Sequence, residues 1–366
     1  MNVRLPDNTA RIGGQVIVED PGTPLLHRKR LDPASSLTTP LRSLRGLLPV
    51  GISAISVALG ARTVENEELI HRFPERTAED IVRMTGIERR REIGADQDVV
   101  SLGADAAERA LEQAGLRLSD IDMIVCSTGT PLAATPSVAC QILYRLGGSG
   151  AECPAYDISA ACSGYLYGLQ AAFDFLQSKP SARVVVVTSE VLSPLLDRGD
   201  YATTFIFGDA ATATVVVGEA GLAECRLRLS RPMLSAEGEP GRYLRVPTTG
   251  SDESIYMDGV KVFSAAVKRM ASTLTRACAS EQLAVADLDL VIAHQANQRI
   301  LDAVGHRLKL PPERLYSNVR NFGNTSSSTI PICLSEIFSG VRSGQRIGLA
   351  AFGGGFTFGA ALLVGA

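Results

Sequence analysis

The chain has 366 residues, 45% of them hydrophobic and 20% charged, with a formal net charge of −3. That length holds one large domain or two ordinary ones, and the mild acidity argues against nucleic acid as the main partner. No run of about 18 apolar residues offers a membrane span, and no apolar segment follows the first basic residues to suggest a secretory signal.

Residues 1–50 form a distinct arm, with Pro6, Pro21, Pro24, Pro33, Pro40, Pro49 and the cluster Arg28-Lys29-Arg30. Seven basic residues against four acidic ones make it +3, leaving the remainder at −6. Gln15–Val18 has the composition of a short strand, but the arm as a whole reads as peripheral or a basic patch. From residue 51 the pattern becomes regular. Gly51–Leu59 reads as a strand, Glu65–Phe73 and Ala78–Thr85 as short helices, and Gly86 as a helix stop. Val99–Gly115 is a helix with a small face of Ala106, Ala107, Ala110 and Ala114. Asp120–Cys126 is a buried strand, Ser137–Leu146 a helix and Ala155–Ile158 a strand. The central helix runs over Cys162–Gln177, and Ala182–Thr188 is a strand around four valines. Alternating strands and helices with apolar strands predict a largely parallel sheet covered on both faces.

The second half repeats these landmarks. Val260–Ser280 is a long helix, and Asp287–Ala293 answers Asp120–Cys126. Gln298–Leu308 answers Ser137–Leu146, and Thr325–Phe338 falls where the central helix fell. Gly344–Ala351 answers the valine strand. Phe207–Thr214 answers Phe352–Gly359. The pattern is an internal duplication, with halves at 51–220 and 221–366 and a site expected where they meet.

Cysteine usage bears on compartment. The seven cysteines (126, 140, 153, 162, 225, 278 and 333) are odd in number, show no CxxC pair and have no zinc spacing with histidine. Free thiols in a reducing cytoplasm, with no metal, are expected.

Three residues gather around the duplicated centre. Cys162, in Ser159-Ala160-Ala161-Cys162-Ser163-Gly164, sits on a tight turn at a helix start. Free amides and the helix dipole there favour thiolate, although a buried structural cysteine fits the stretch alone. Of the four histidines, His294 alone follows a strongly apolar strand directly, at the strand end where ligands bind in α/β sheets. Asn324 lies in the polar turn that opens the second central helix, where a helix cap is the alternative. A thiolate can take an acyl group from a thioester, while a His Nε2–H and an Asn amide can hold the enolate left when a malonyl thioester loses CO₂. Gly353-Gly354-Gly355 can bring a backbone amide to the acyl carbonyl. No carboxylate stands beside the trio in the sequence, which argues against a hydrolytic Cys-His-Asp site.

Ala160-Ala161-Cys162-Ser163-Gly164, His294-Gln295-Ala296-Asn297, Gly323-Asn324-Thr325-Ser326 and Phe352-Gly353-Gly354-Gly355-Phe356-Thr357 resemble, in order, the signatures of the β-ketoacyl-acyl-carrier-protein synthase III family of the thiolase superfamily. The resemblance covers about residues 50–366. It implies an α/β thiolase-like five-layered αβαβα fold, a homodimer, and decarboxylative Claisen condensation without metal or organic cofactor. By the same resemblance Cys162 is acylated, His294 and Asn324 promote decarboxylation, and the amides of Cys162 and Gly354 form the oxyanion hole. Thr135, Met257, Gly259, Phe263 and Phe352 line the substrate tunnel. Arg198 and Asn297 lie on the CoA and pantetheine side. Arg299 and Arg307 meet acyl carrier protein, with Lys268 standing in for a lysine that Ser264 replaces.

Two departures point to substrate. The chain has no Trp, and Asp80 and Met84 occupy the places of an adenine-stacking Trp and Arg, which favours a carrier-bound acyl donor over acyl-CoA. Thr135 replaces a Phe that limits the pocket in short-chain enzymes, which implies a longer acyl group. Both lean toward specialised-metabolite rather than primary fatty acid synthesis. The competing readings are an acyltransferase to an O or N nucleophile, and a non-catalytic subunit of a heterodimeric synthase.

Overall fold

In the computed structural model, which describes residues 46–150, 152–238 and 241–366, the two aspartate-led strands are built by one rule. Asp120 closes the 3₁₀ turn Leu118–Asp120 by accepting from the Arg117 amide at 2.9 Å, and Asp287 closes Val285–Asp287 by accepting from the Ala284 amide at 2.8 Å. Asp122 then accepts from the Arg183 amide at 2.9 Å, and Asp289 from the Arg346 amide at 2.8 Å. Both strands therefore start later than the sequence pattern suggests, at Met123 and Leu290, because the leading aspartates are turn and tie residues. The arm before residue 46, with its expected strand at Gln15–Val18, lies outside the described residues.

Along the chain the strands are β1 (Val50–Leu59), β2 (Arg62–Glu65), β3 (Arg89–Glu92), β4 (Met123–Ser127), β5 (Ala155–Ile158), β6 (Arg183–Glu190), β7 (Ala210–Val217), β8 (Leu227–Leu229), β9 (Met233–Ala236), β10 (Leu244–Arg245), β11 (Tyr256–Met257), β12 (Leu290–Ala293), β13 (Arg346–Gly353) and β14 (Thr357–Gly365). The helices are α1 (Asn66–Ile70), α2 (Ala78–Thr85), α3 (Val99–Ala114), α4 (Val138–Arg145), α5 (Gly164–Ser178), α6 (Gly259–Ser280), α7 (Gln298–Leu308), α8 (Val319–Phe322) and α9 (Thr329–Ile337). The helix expected over Glu65–Phe73 shrinks to α1: Glu65 pairs with Arg89 at the end of the β2–β3 ribbon, and past Ile70 the amides of Arg72 and Phe73 bond three residues back in turns.

One ten-stranded sheet runs β12-β13-β14-β8-β1-β7-β6-β4-β5, with β9 on β14. It is mixed, which corrects the expectation of a largely parallel sheet. Only β4–β5, β4–β6 and β12–β13 pair in parallel, and each has a helix in its connection. β6 to β7 and β13 to β14 return through loops without a crossover helix, so they pair antiparallel. The boundary expected near residue 220 falls between β7 and β8, and both halves share this sheet within one compact unit, Leu44–Ala366.

Three apolar cores define the thiolase-like layering. One packs α3 and α4 on β4, β6 and β7, one packs α5 and α9 between strands of both halves, and one packs α6 and α7 on β12–β14. The middle layer explains the low charge of the central helices, since helices covered by sheet on both sides must be apolar almost all round. Leu166 and Leu169 of α5 are fully buried there, and truncating either to Ala costs about 2–5 kcal/mol.

Candidate active site

Cys162 sits in a 3₁₀ turn, Ala161–Ser163, that leads into α5. Ala161 adopts φ +47°, a left-handed conformation that costs a non-glycine residue about 1–3 kcal/mol and must be held from outside. The glycine-rich loop after β13 supplies the hold. Ser163 Oγ donates to the Thr357 carbonyl at 3.0 Å, and Thr357 Oγ1 donates to the Ala160 carbonyl at 2.7 Å. A Cβ on Gly353 would lie 2.6 Å from the Cys162 nitrogen, so only glycine lets this loop approach the nucleophile's amide so closely.

The cysteine is buried, at 8% exposure. Burial pushes its thiol up to about 12, while the Ser326 hydroxyl pulls it down and the Glu190 carboxylate adds to the rise. The expectation that the helix start keeps a thiolate therefore changes for the unliganded site: desolvation favours the neutral thiol. Attack on an acyl thioester requires the proton to be moved.

His294 follows β12 directly and extends its pairing, its amide donating to the Ala350 carbonyl at 2.8 Å. The ring is buried, and burial alone lowers it to about 3, so the imidazole is neutral. Its Nδ1 lies 2.8 Å from Thr329 Oγ1, which is also 3.1 Å from the Ser326 carbonyl. When the Thr329 hydroxyl turns to Nδ1 the ring proton sits on Nε2 as a donor, and when it donates to the Ser326 carbonyl Nδ1–H donates to Thr329. Asn324 is fixed by the reverse logic. Its Oδ1 accepts from the Ser326 amide at 2.8 Å, which leaves the NH₂ group as the free end. Its backbone pairs with residues 206–208, its amide donating to the Ile206 carbonyl at 2.8 Å and its carbonyl accepting from Gly208 at 3.1 Å.

Ser326 links the three. Its hydroxyl pairs with the Cys162 thiol, its amide holds Asn324, and its carbonyl lies 3.1 Å from the Thr329 hydroxyl behind His294. The Ser326 hydroxyl also donates to Glu190 Oε1 at 3.1 Å. Glu190 ends β6, is 1% exposed, and further accepts from Ser327 Oγ at 2.7 Å and the Gly129 amide at 2.9 Å. Burial raises its carboxyl to about 7 against these bonds. A carboxyl does therefore stand behind the trio, contrary to the expectation from sequence. It contacts the Ser326 turn, while His294 is oriented by Thr329, so the arrangement is still not a Cys-His-Asp relay.

The remaining expected residues are placed as follows. Gly354 lies in the loop that meets the Cys162 turn, and a Cβ there would meet the carbonyl and side chain of Leu244, the nearest atom at an ordinary 3.5 Å. Phe352 is buried, its ring 4.8 Å from Phe356. Met257 and Phe263 are half-buried on the α6 core, and Gly259 is exposed at the start of α6. Thr135 is exposed, as is Leu132 three positions before it. Asn297 caps α7, accepting from the Ile300 amide at 3.0 Å. Arg198 is bound to the buried Glu92 at 2.7 Å and also donates to the Ser193 carbonyl at 3.4 Å. Arg299, Arg307 and Lys268 are exposed. Asp80 is committed: it caps the Thr77 amide at 3.0 Å and pairs with Arg83.

A buried thiol, a neutral imidazole and an oriented amide on a duplicated α/β frame define a condensing enzyme of thiolase type. Residues 156–229 match 3-oxoacyl-[acyl-carrier-protein] synthase III, and residues 278–364 match its C-terminal domain. The chain is 39% identical over 303 residues to beta-ketoacyl-[acyl-carrier-protein] synthase III of Nitratidesulfovibrio vulgaris (strain DSM 19637 / Miyazaki F), spanning 80% of this chain and 91% of that one. The crystal structure of 3-oxoacyl-[acyl-carrier-protein] synthase III from Aquifex aeolicus VF5 superposes with a TM-score of 0.79 at 33% identity, covering 86% of this chain and 99% of that chain. The priming β-ketosynthase from the R1128 polyketide biosynthetic pathway superposes with a TM-score of 0.77 at 29% identity, covering 88% and 98%. The chain belongs to the β-ketoacyl-acyl-carrier-protein synthase III family. It is an acyl-transferring, condensing enzyme of fatty acid or polyketide initiation.

Among the described residues no cluster of His, Cys, Asp and Glu could hold a metal, and no helix is long and apolar enough to cross a membrane.

Proposed function

We propose that the enzyme takes a medium or longer acyl group from an acyl carrier protein onto Cys162 and condenses it with a malonyl thioester. The single observation that supports these roles is the Ser326 turn, which ties Cys162, Asn324 and, through Thr329, His294 into one cluster. The Cys162 sulfur attacks the acyl carbonyl, whose developing oxyanion takes hydrogen bonds from the amides of Cys162 and Gly354, and collapse breaks the thioester and expels the carrier's pantetheine thiolate. The acylated enzyme then receives the malonyl thioester. His294 Nε2–H and the Asn324 NH₂ donate to its carbonyl oxygen as CO₂ leaves, and the enolate carbon attacks the acyl-cysteine. Tetrahedral collapse releases the β-ketoacyl thioester and returns the Cys162 thiolate. All of this is done by side chains and backbone, with no organic cofactor.

The donor choice follows from the residues on the expected CoA side. Arg198, the one adenine-side residue the sequence retains, is engaged by Glu92. Asp80 is already paired with Arg83, so the case against CoA rests on the missing stacking clamp and not on charge. Exposed Arg299, Arg307 and Lys268 supply positive charge for an acidic carrier surface. The exposure of Thr135 and Leu132 in the single chain fits a homodimer that covers them, and the absence of a bulky side chain at Thr135 suits a longer acyl pocket. A cytoplasmic setting suits the seven free cysteines. The test is to incubate purified protein with acyl and malonyl thioesters and follow CO₂ and β-ketoacyl product together. CO₂ without a new C–C bond, or acyl transfer to an O or N acceptor instead, would overturn the condensation reading.

A further inference from the structure

Condensation needs a proton to leave Cys162 and later return, and the residues just named do not store it. The thiol is buried, so a thiolate formed beside an ionised Glu190 would place two negative charges in one desolvated site. We propose that Glu190 receives the Cys162 proton through the Ser326 hydroxyl and holds it for as long as the enzyme carries its acyl group. This rests on the assignment of Cys162 as nucleophile.

The starts of the two central helices abut, a Cβ on Gly164 falling 3.3 Å from Ser327 Cβ. Ser326 Oγ lies 3.1 Å from Glu190 Oε1 and is the side-chain group that pairs with the Cys162 thiol. Ser327 Oγ at 2.7 Å and the Gly129 amide at 2.9 Å hold both carboxyl oxygens in place. The titratable groups that face Glu190 are the thiols of Cys162 and Cys126, and its direct hydrogen-bond partners are neutral. Ser326 takes φ +52°, a left-handed conformation costly for serine, and from it the hydroxyl donates to Glu190.

On acylation the Cys162 S–H bond breaks as an O–H bond forms at Ser326, and the proton already on Ser326 moves to Glu190 Oε1. The negative charge passes from carboxylate to sulfur and leaves with the pantetheine thiolate, so the buried pair never carries two charges. The sulfur forms its bond to the acyl carbon, and the pantetheine thiolate leaves and takes a proton from solvent. When condensation releases the Cys162 thiolate, the same path runs backwards: Ser326 protonates the sulfur and Glu190 reprotonates Ser326. The cycle consumes one proton, carried off by the released thiol, as the loss of CO₂ from a malonyl carboxylate requires. Two groups sharing one proton titrate as a pair. Burial holds the Glu190 carboxyl near 7, where it can accept and return a proton at neutral pH.

The experiment first maps the acyl adduct. An adduct away from Cys162 refutes the nucleophile assignment, and the relay falls with it. On a Cys162 adduct, infrared difference spectra of the wild-type protein should show a protonated-carboxyl C=O band that appears on acylation, shifts in D₂O, and is absent from Glu190→Gln. Acylation, read as carrier thiol released in a single turnover, should slow by about 10²-fold in Glu190→Gln and in Ser326→Ala, the lower end of what a positioned proton acceptor contributes. Glu190→Asp should recover part of that rate. Malonyl decarboxylation by the same variants should show no comparable loss, because His294 and Asn324 are untouched. No carboxyl band in acylated wild type, or Ser326→Ala acylating at the wild-type rate, would overturn the proposal.

Discussion

Replacing Gly353 by alanine tests how tightly the nucleophile is held. The new Cβ would stand 2.6 Å from the Cys162 nitrogen, 3.1 Å from the Ser163 nitrogen and 3.1 Å from the Ala161 Cβ. All three belong to the backbone or to a side chain with no rotamer, so nothing flexible can swing away. Restoring ordinary contact at 3.4 Å moves the turn by the difference, about 0.8 Å. Overpacking of this kind costs about 1–3 kcal/mol of stability. The larger effect is on chemistry, since a misplacement of about 1 Å at a reacting group costs on the order of 10²-fold in rate. The Cys162 amide, the oxyanion donor assigned above, is the atom displaced. Urea denaturation should therefore show a folded, modestly weakened protein, and mass spectrometry of the acyl-enzyme should show acylation slowed by about 10²-fold. Gly354→Ala, whose Cβ meets nothing closer than 3.5 Å, keeps its amide and should retain wild-type stability. Wild-type acylation by Gly353→Ala would refute the claim that this glycine positions the nucleophile.

Other outcomes follow from the same geometry. Cys162→Ser should fold normally and give no condensation product, and in the wild type the acyl adduct should map to Cys162 by peptide analysis. His294→Ala and Asn324→Ala should still acylate but lose about 10²–10³ in malonyl decarboxylation, the scale of one oxyanion donor; normal CO₂ release by both would remove the role given to the pair. Glu190 titrates near 7 in the fold and at its ordinary 4.5 when unfolded, so the native state holds the extra proton between those values and stability falls as pH rises through them. Glu190→Gln should lack that fall, and equal changes in denaturation midpoint for both proteins between about pH 5 and pH 8 would contradict it. In competition at low salt, octanoyl-carrier protein should outpace octanoyl-CoA, and the advantage should shrink as salt screens the exposed basic residues over about 8–10 Å. A preference for acetyl-CoA unchanged by salt would refute the carrier-bound, longer-chain reading.

The parts of the site legible in sequence are those whose signal is local. Cys162 and His294 each follow an apolar strand, and Asn324 opens a helix, so chain order alone marks them. The duplication was legible for a physical reason. Asp120 and Asp122 make the same turn and tie as Asp287 and Asp289, so the pattern repeats where the structure does. Strand direction was not legible, because it depends on whether a connection crosses over or turns back. Ser326 stood in a recognised motif without a role, because its partners, Glu190 and Cys162, lie far away in the chain. Glu190 did leave a signal: a carboxylate ending a strand of valines is costly to bury unless it is bonded. Arg198 read as a ligand contact, whereas the ion pair it makes with Glu92 spans 106 positions and leaves no local trace.

The duplication also accounts for how one fold provides two different chemistries at one point. Each central helix opens with a 3₁₀ turn, Ala161–Ser163 before α5 and Ser326–Ser328 before α9. Each turn carries a left-handed residue, Ala161 at φ +47° and Ser326 at φ +52°. The helices meet start to start: a Cβ on Gly164 would fall 1.7 Å from Ser127 Oγ and 3.3 Å from Ser327 Cβ, so glycine is required for the approach. At matching places after those residues stand Cys162 and Ser327. Cys162 is the nucleophile, whereas Ser327 points its hydroxyl at Glu190, 2.7 Å away. The first half thus supplies an attacking sulfur and a carboxyl, and the second supplies the hydroxyls between them together with His294 and Asn324. Neither half holds a complete site. The buried sulfur and the buried carboxyl are kept in register by a turn that belongs to the other half, which is why the proton path and the decarboxylation pair converge on Ser326.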